Sequence, residues 1–134
     1  MSAEFIDANI FIYSIAKDDI KRRRSLSILA RKPVLSLQVL SEASNVMRKK
    51  LRIEISEIQI IIIKLIRESQ IHPTTLSTLM MAFTIAERYG FSHYDSMIIA
   101  AAMEANCTTL YSEDMQHGQV INQQLSIINP FVTT

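Results

Sequence analysis

Strands alternating with helices along the whole chain predict an α/β fold on a mostly parallel sheet. Two further observations support that class. Short apolar runs lead straight into helix-cap signals, as in EFIDANIFIY at 4–13. No repeat, linker or low-complexity segment breaks the pattern, so 1–134 reads as one domain with a sizeable core.

The first strand is apolar at Phe5 and Ile6 and ends at Asp7. Asn9 is then the expected N-cap of a helix from about Ile10 to Ala16, because its side-chain oxygen can accept an orphan backbone N–H. Lys17-Asp18-Asp19 breaks the chain before a helix over Asp19 to Ala30 that carries Lys21, Arg22, Arg23 and Arg24. Pro33 ends this helical stretch, and Val34-Leu35 forms a second strand. Ser36 caps a helix from Leu37 to about Leu51, with Val39, Leu40, Ala43, Val46 and Met47 on its apolar face and Glu42 at the rim.

Ser56-Glu57-Ile58-Gln59 has the form of a capping box and predicts a helix to about Ser69. Its four consecutive isoleucines also suit a strand, but length and cap decide for helix. Gln70-Ile71-His72 is the third strand, with His72 a satisfied strand residue. A helix over Thr75 to Tyr89 should turn Leu76, Leu79, Met80, Phe83 and Ala86 inward and stop at Gly90. Ser92 caps the next helix, which runs to about Asn106 with Asp95 in its first turn. Thr108 to Tyr111 and Leu125 to Ile128 complete five strands.

Hydrophobic residues make up 49% of the chain and charged ones 20%, which excludes disorder. The longest apolar run, Met97 to Met103, is far too short for a membrane span. Glu4 stands where a signal peptide needs positive charge, and the one cysteine, Cys107, has no internal partner. Together these predict a cytoplasmic protein without a membrane segment. Residues 1–52 carry 11 basic and 5 acidic side chains, whereas residues 53–134 carry 3 and 8. That asymmetry points to a polyanion-facing surface early in the chain, with Arg22, Arg23, Arg24, Arg48, Lys49 and Lys50 as candidate phosphate contacts. Basic runs on helices are also common as solvated faces, and those at a helix C-terminus suit its dipole.

Four acidic positions share a pattern. Asp7 and the Glu113-Asp114 pair follow strands; Glu42 and Asp95 lie early in helices. A parallel sheet brings such positions to one edge, where ligands bind in α/β folds. Gathered carboxylates repel unless a cation joins them. Mg²⁺ or Mn²⁺ suits an all-oxygen set, and one or two such ions serve phosphodiester cleavage. Each acid alone has a plainer role as a cap or turn residue; the set favours chemistry. The chain has no glycine-rich phosphate loop and no His or Cys pair at zinc spacing.

FIDANIFIY, LSLQVLSEASNV, YGFSHYDSMIIAAAMEANCTTLYSEDMQHG and IINPF, spread over nearly the whole chain, resemble the PIN-domain nucleases, in particular VapC-like toxins of toxin–antitoxin pairs. The resemblance implies a three-layer α/β/α sandwich with a five-stranded sheet in the order 3-2-1-4-5. It implies an Mg²⁺- or Mn²⁺-dependent ribonuclease using a metal-activated water. Asp7 and Asp95 would be the principal metal ligands, Glu42 would complete the set, and Asp114 would be the fourth acid with Ser112 nearby. Asn9 would hold Asp7 by a hydrogen bond. Homodimers and a cognate antitoxin are implied as partners. Ala8 stands where many relatives have Thr or Ser. His117 stands where many have Asp, which leaves Glu113, Asp114 and His117 as contenders for the fourth acidic position. Two other readings compete. A receiver-like signalling domain needs a Lys after its last strand, and no Lys follows Leu110. A nucleic-acid-binding module without catalysis keeps the same fold.

Overall fold

β1 (Ala3–Ile6) passes into α1 (Ala8–Ser14) through a single residue, Asp7. This is a computed structural model that describes residues 3–132. Asp7, not Asn9, is the N-cap. Its carboxylate accepts a 2.7 Å hydrogen bond from the Ala8 amide, so the helix starts as soon as the strand stops. Asn9 falls inside the first turn.

α2 (Asp19–Leu29) is capped by Asp18 and leads through Pro33 to β2 (Val34–Ser36). Ser36 caps α3 (Leu37–Lys49), accepting from Val39 N at 3.4 Å, and α3 buries Val39, Leu40, Ala43 and Met47. α4 (Ile55–Arg67) begins one residue before Ser56 with Glu54 at the N-cap, so the expected capping box does not form. Then come β3 (Gln70–His72), α5 (Leu76–Tyr89), α6 (His93–Glu104), β4 (Cys107–Tyr111), β5 (Val120–Ile121) and β6 (Leu125–Ile128).

The sheet runs β3-β2-β1-β4-β6-β5 and is parallel except for β5, which pairs antiparallel with β6 at the edge. The first five strands in this order are the expected 3-2-1-4-5, and β5 is the addition. Its hairpin turns through Asn122 and Gln123, both left-handed at φ 48° and 57°. Tyr89 braces that turn, its hydroxyl donating to the Asn122 side chain and accepting from Asn122 N, both at 2.9 Å.

Strand order advances from β1 to β3, then returns to β4. Right-handed crossovers therefore send α1–α4 to one face and α5–α6 to the other. Contacts follow that division: α1 packs on α2 and α3, α3 on α4, and α5 on α6. The result is an α/β sandwich around a buried sheet. Phe5, Ile6, Leu35, Leu110 and Ile127 are fully buried in it. Cys107 is buried core filler, its thiol pushed up to about 11 by burial.

α5 departs from expectation. Its buried residues are Thr78, Ala82 and Ile85, while Leu76, Met80 and Phe83 are 81%, 62% and 50% exposed. α6 presents Ala100, Ala101 and Ala102 among its buried residues, and small side chains on both helices let them approach closely. The larger apolar residues are left outside. His72 is satisfied as expected, 3.3 Å from Glu104, which also accepts from Thr78 and Ser77.

Candidate active site

The strand order reverses between β1 and β4, so the crevice beyond their C-terminal ends is the natural ligand site. Asp7 follows β1 there, and Ser112, Glu113 and Asp114 follow β4. Asp7 N donates to Tyr111 O at 3.0 Å, extending the ladder to the rim.

Asp7 is 7% exposed with both carboxylate oxygens engaged: one by Ala8 N, the other by Ser112 Oγ at 3.0 Å. Burial raises its pKa to about 6. The two hydrogen bonds oppose that rise, and the charges of Glu42 and Asp95 add to it. Ser112 is fully buried, and its hydroxyl also accepts from Met115 N, which fixes it against Asp7.

Glu42 comes from the second turn of α3 and is half-buried. Gln38, one turn earlier, donates from Nε2 to Glu42 at 2.8 Å and to the Tyr94 carbonyl at 3.2 Å. Asp95 lies in the first turn of α6, its amide bound to the capping Ser92 hydroxyl. Burial raises the Asp95 pKa; Ser92 opposes this and the Asp114 charge reinforces it.

Among the three contenders after β4, Asp114 is the one whose charge reaches Asp95. Glu113 turns the other way. Burial alone would raise its pKa, but Lys21 at 2.5 Å and the Tyr13 hydroxyl at 2.6 Å hold it below the usual range. His117 accepts from Asn129 N at 2.9 Å and serves the loop before β5. Asn9 binds Asp114 at 2.9 Å, not Asp7. Ser112 takes the bracing role that the resemblance gave to Asn9.

The charges of Glu42 and Asp95 are felt at Asp7, and that of Asp114 at Asp95, so the acids form a chain of neighbouring charges and not one closed group. Among the described residues, no three His, Cys, Asp or Glu side chains stand in an arrangement that holds a metal ion. The donor chemistry nonetheless fits a hard cation: every donor is oxygen, and the buried member is charged only at the cost of desolvation and, to a lesser degree, of repulsion.

The basic groups divide. Lys21 sits at the rim through Glu113, and Arg24 donates to Pro130 O at 2.9 Å, just past β6. Arg22 pairs with Asp19 at 2.6 Å, and Arg23 is exposed. Arg48, Lys49 and Lys50 lie six to eight residues beyond Glu42, about 9–12 Å down the helix axis and away from the rim. The sequence did not point to Gln38 or Tyr13 as parts of the site, and it pointed to Lys21 only as one of a basic run. Gln38 had a local signal, its i,i+4 spacing to Glu42. The Lys21–Glu113 pair, 92 residues apart, had none.

The family model of the PIN domain matches residues 5–120. Among solved structures, a toxin–antitoxin complex from Klebsiella pneumoniae is similar at 22% identity, with 97% of this chain and 98% of that one covered and a TM-score of 0.70. VapC20 of Mycobacterium tuberculosis, a toxin cleaving the sarcin–ricin loop, matches at 17% identity over 84% and 90%, TM-score 0.68. VapBC2 of Rickettsia felis, bound to promoter DNA, matches at 21% over 93% and 96%, TM-score 0.66. At these identities the likeness is one of fold. No curated protein matches the chain in sequence.

Proposed function

Since this chain belongs to the PIN-domain family, we propose that it is a metal-dependent endoribonuclease, the toxin of a toxin–antitoxin pair. The observation that carries this reading is Asp7, a buried carboxylate at the sheet's switch point whose charge is felt with those of Glu42 and Asp95. In this reading Asp7 and Asp95 are the principal ligands of Mg²⁺ or Mn²⁺, with Glu42 and Asp114 completing the set. Bound there, the cation supplies an activated water and charge stabilisation for phosphodiester hydrolysis.

The chain's own residues prepare that site. Ser112 and the Ala8 amide orient Asp7. Gln38 orients Glu42, and Asn9 orients Asp114. Such bracing limits the reorganisation needed when substrate arrives.

The relatives solved as toxin–antitoxin complexes support an antitoxin partner. A groove of about 280 Å³ between α1, α2 and α4, lined by Phe11, Ile15, Leu26, Leu29, Ile61 and Leu65, suits an apolar helix face. The outer face of α5 suits a second copy of the chain. No described helix is long and apolar enough to cross a membrane, and a cytoplasmic site of action belongs to the same proposal.

The test is incubation of purified protein with total RNA, with and without Mg²⁺ or Mn²⁺. Wild type should cut only with metal, and Asp7→Asn should not cut while keeping its circular dichroism spectrum. The absence of a closed three-carboxylate arrangement among the described residues favours one other reading, a nucleic-acid-binding module without catalysis. RNA binding without cutting in either metal would select it.

A further inference from the structure

A cleft of about 590 Å³ opens beside Glu42, between the start of α3 and the start of α6. Leu37, Tyr94 and Met97 give it apolar walls; Gln38, Ser41 and Glu42 give it a polar edge. We propose that this cleft binds a nucleobase, that of the nucleotide next to the phosphate held by the carboxylates. Tyr94 is the stacking platform and the Gln38 side-chain carbonyl is the polar contact. The proposal rests on the ribonuclease reading above and names a substrate subsite for it.

Continuity is the first argument. Glu42 belongs both to the acidic group and to the cleft wall, and Tyr94 immediately precedes Asp95. A strand whose phosphate lies against Asp7 and Asp95 reaches this cleft with the neighbouring nucleotide on the Glu42 side. Charge is the second argument. A carboxylate in the wall repels a phosphate but accepts from the N–H edge of a neutral base.

Side-chain state is the third argument. Tyr94 is 66% exposed, a large ring left in water at the mouth of the cleft. Every base has a face that stacks on such a ring. The His93 ring meets Tyr94 edge-on, with centroids 5.0 Å apart, and steadies it. The Gln38 amide donates to Glu42 and to the Tyr94 carbonyl, so its orientation is set by two partners. Its oxygen is what remains to offer, and an acceptor selects a base edge that carries an N–H. The volume lies within the range of small-molecule sites, about 300–1,000 Å³.

The test uses a single-stranded oligoribonucleotide with one 2-aminopurine, moved position by position. It is bound to Asp7→Asn so that no cleavage intervenes. One position should show quenched fluorescence. Adding Tyr94→Ala should abolish that quenching and weaken binding about fivefold or more, whereas Tyr94→Phe should keep both. An abasic residue at the same position should slow cutting by wild type and have no further effect on Tyr94→Ala. Quenching that survives Tyr94→Ala, or appears at no position, overturns the proposal. So does a loss of binding that tracks dissociation of a dimer in light scattering, which would assign the ring to self-association. Quenching does not depend on cleavage, so a chain that stacks a base yet cuts no RNA fails the nuclease reading alone.

Discussion

Asp7 serves at once as a helix cap and as a buried charge, and the two roles pull its proton in opposite directions. The hydrogen bonds from Ala8 N and Ser112 favour the carboxylate; burial and the neighbouring acids favour the neutral form and win. With its pKa raised from 3.8 to about 6, the native chain holds more protons than the unfolded chain between those values. Stability therefore falls as pH rises through that window, and the full penalty stands above it. In EDTA, Asp7→Asn should be the more stable protein at pH 7, by an amount on the order of 2–3 kcal/mol. The difference should vanish near pH 3.5, where both side chains are neutral. Chemical denaturation at the two pH values checks this, and an equal difference at both would show that the charge is not its source. Asp95 separates the cluster from a plain cap in the same manner. Without metal, Asp95→Asn should melt higher than wild type, and Mg²⁺ should stabilise wild type more than the variant. A mere capping role predicts the reverse, a loss of about 0.3–1 kcal/mol and no effect of Mg²⁺.

At the scale of elements, the two basic runs are no longer equivalent. α2 reaches the site rim through Lys21 and Arg24, whereas the run at the end of α3 lies down the helix from it. Neutralising Arg22, Arg23 and Arg24 should lower the salt dependence of RNA binding by about 0.7 in log–log slope for each phosphate no longer neutralised. Neutralising Arg48, Lys49 and Lys50 should change it less. Equal slopes for the two variants would count against this placement. Much of the architecture was legible where cap and apolar run agreed locally, as at Ser36 and Val34–Leu35, even though the caps expected at Asn9 and Ser56 lie elsewhere. The α5 face was not, because that helix carries apolar residues around most of its circumference. Packing on α6 left Thr78, Ala82 and Ile85 as the buried residues of α5, and no local period records the choice of a partner helix. β5 escaped notice because it has two residues and a left-handed turn built from Asn122 and Gln123 without glycine. Within the candidate site, the acids were readable as types at strand ends. Glu113 was drawn away from the acidic positions by Lys21 and Tyr13, far away in sequence, which leaves Asp114 beside Asp95.

The whole molecule keeps a large amount of apolar surface in water. Leu76, Met80 and Phe83 on α5 lie on one side of the sheet; Ile60, Ile63 and Ile66 on α4 lie on the other. Exposed apolar surface of this extent marks association. The α5 face should bury itself against a second copy, and Phe83→Glu should convert a dimer to a monomer in light scattering at micromolar concentration while keeping its circular dichroism spectrum. A wild type that is already monomeric would remove self-association from the account and leave the α1–α2–α4 groove as the candidate partner surface.

The pairing of β1 with β4 also sets when this protein can work during its own synthesis. Asp7 emerges from the ribosome before its brace Ser112, which follows 105 residues later, and before the strand beside it, Cys107–Tyr111. Until then β1 has one open edge, and neither Ser112 nor Asp114 is available. A nascent chain that stops short of Cys107 therefore contains Asp7, Glu42 and Asp95 without the strand that aligns them. Long-range closure of this kind is slow compared with helix formation. On the ribonuclease reading proposed above, the order of the strands withholds competence until β4 has been made.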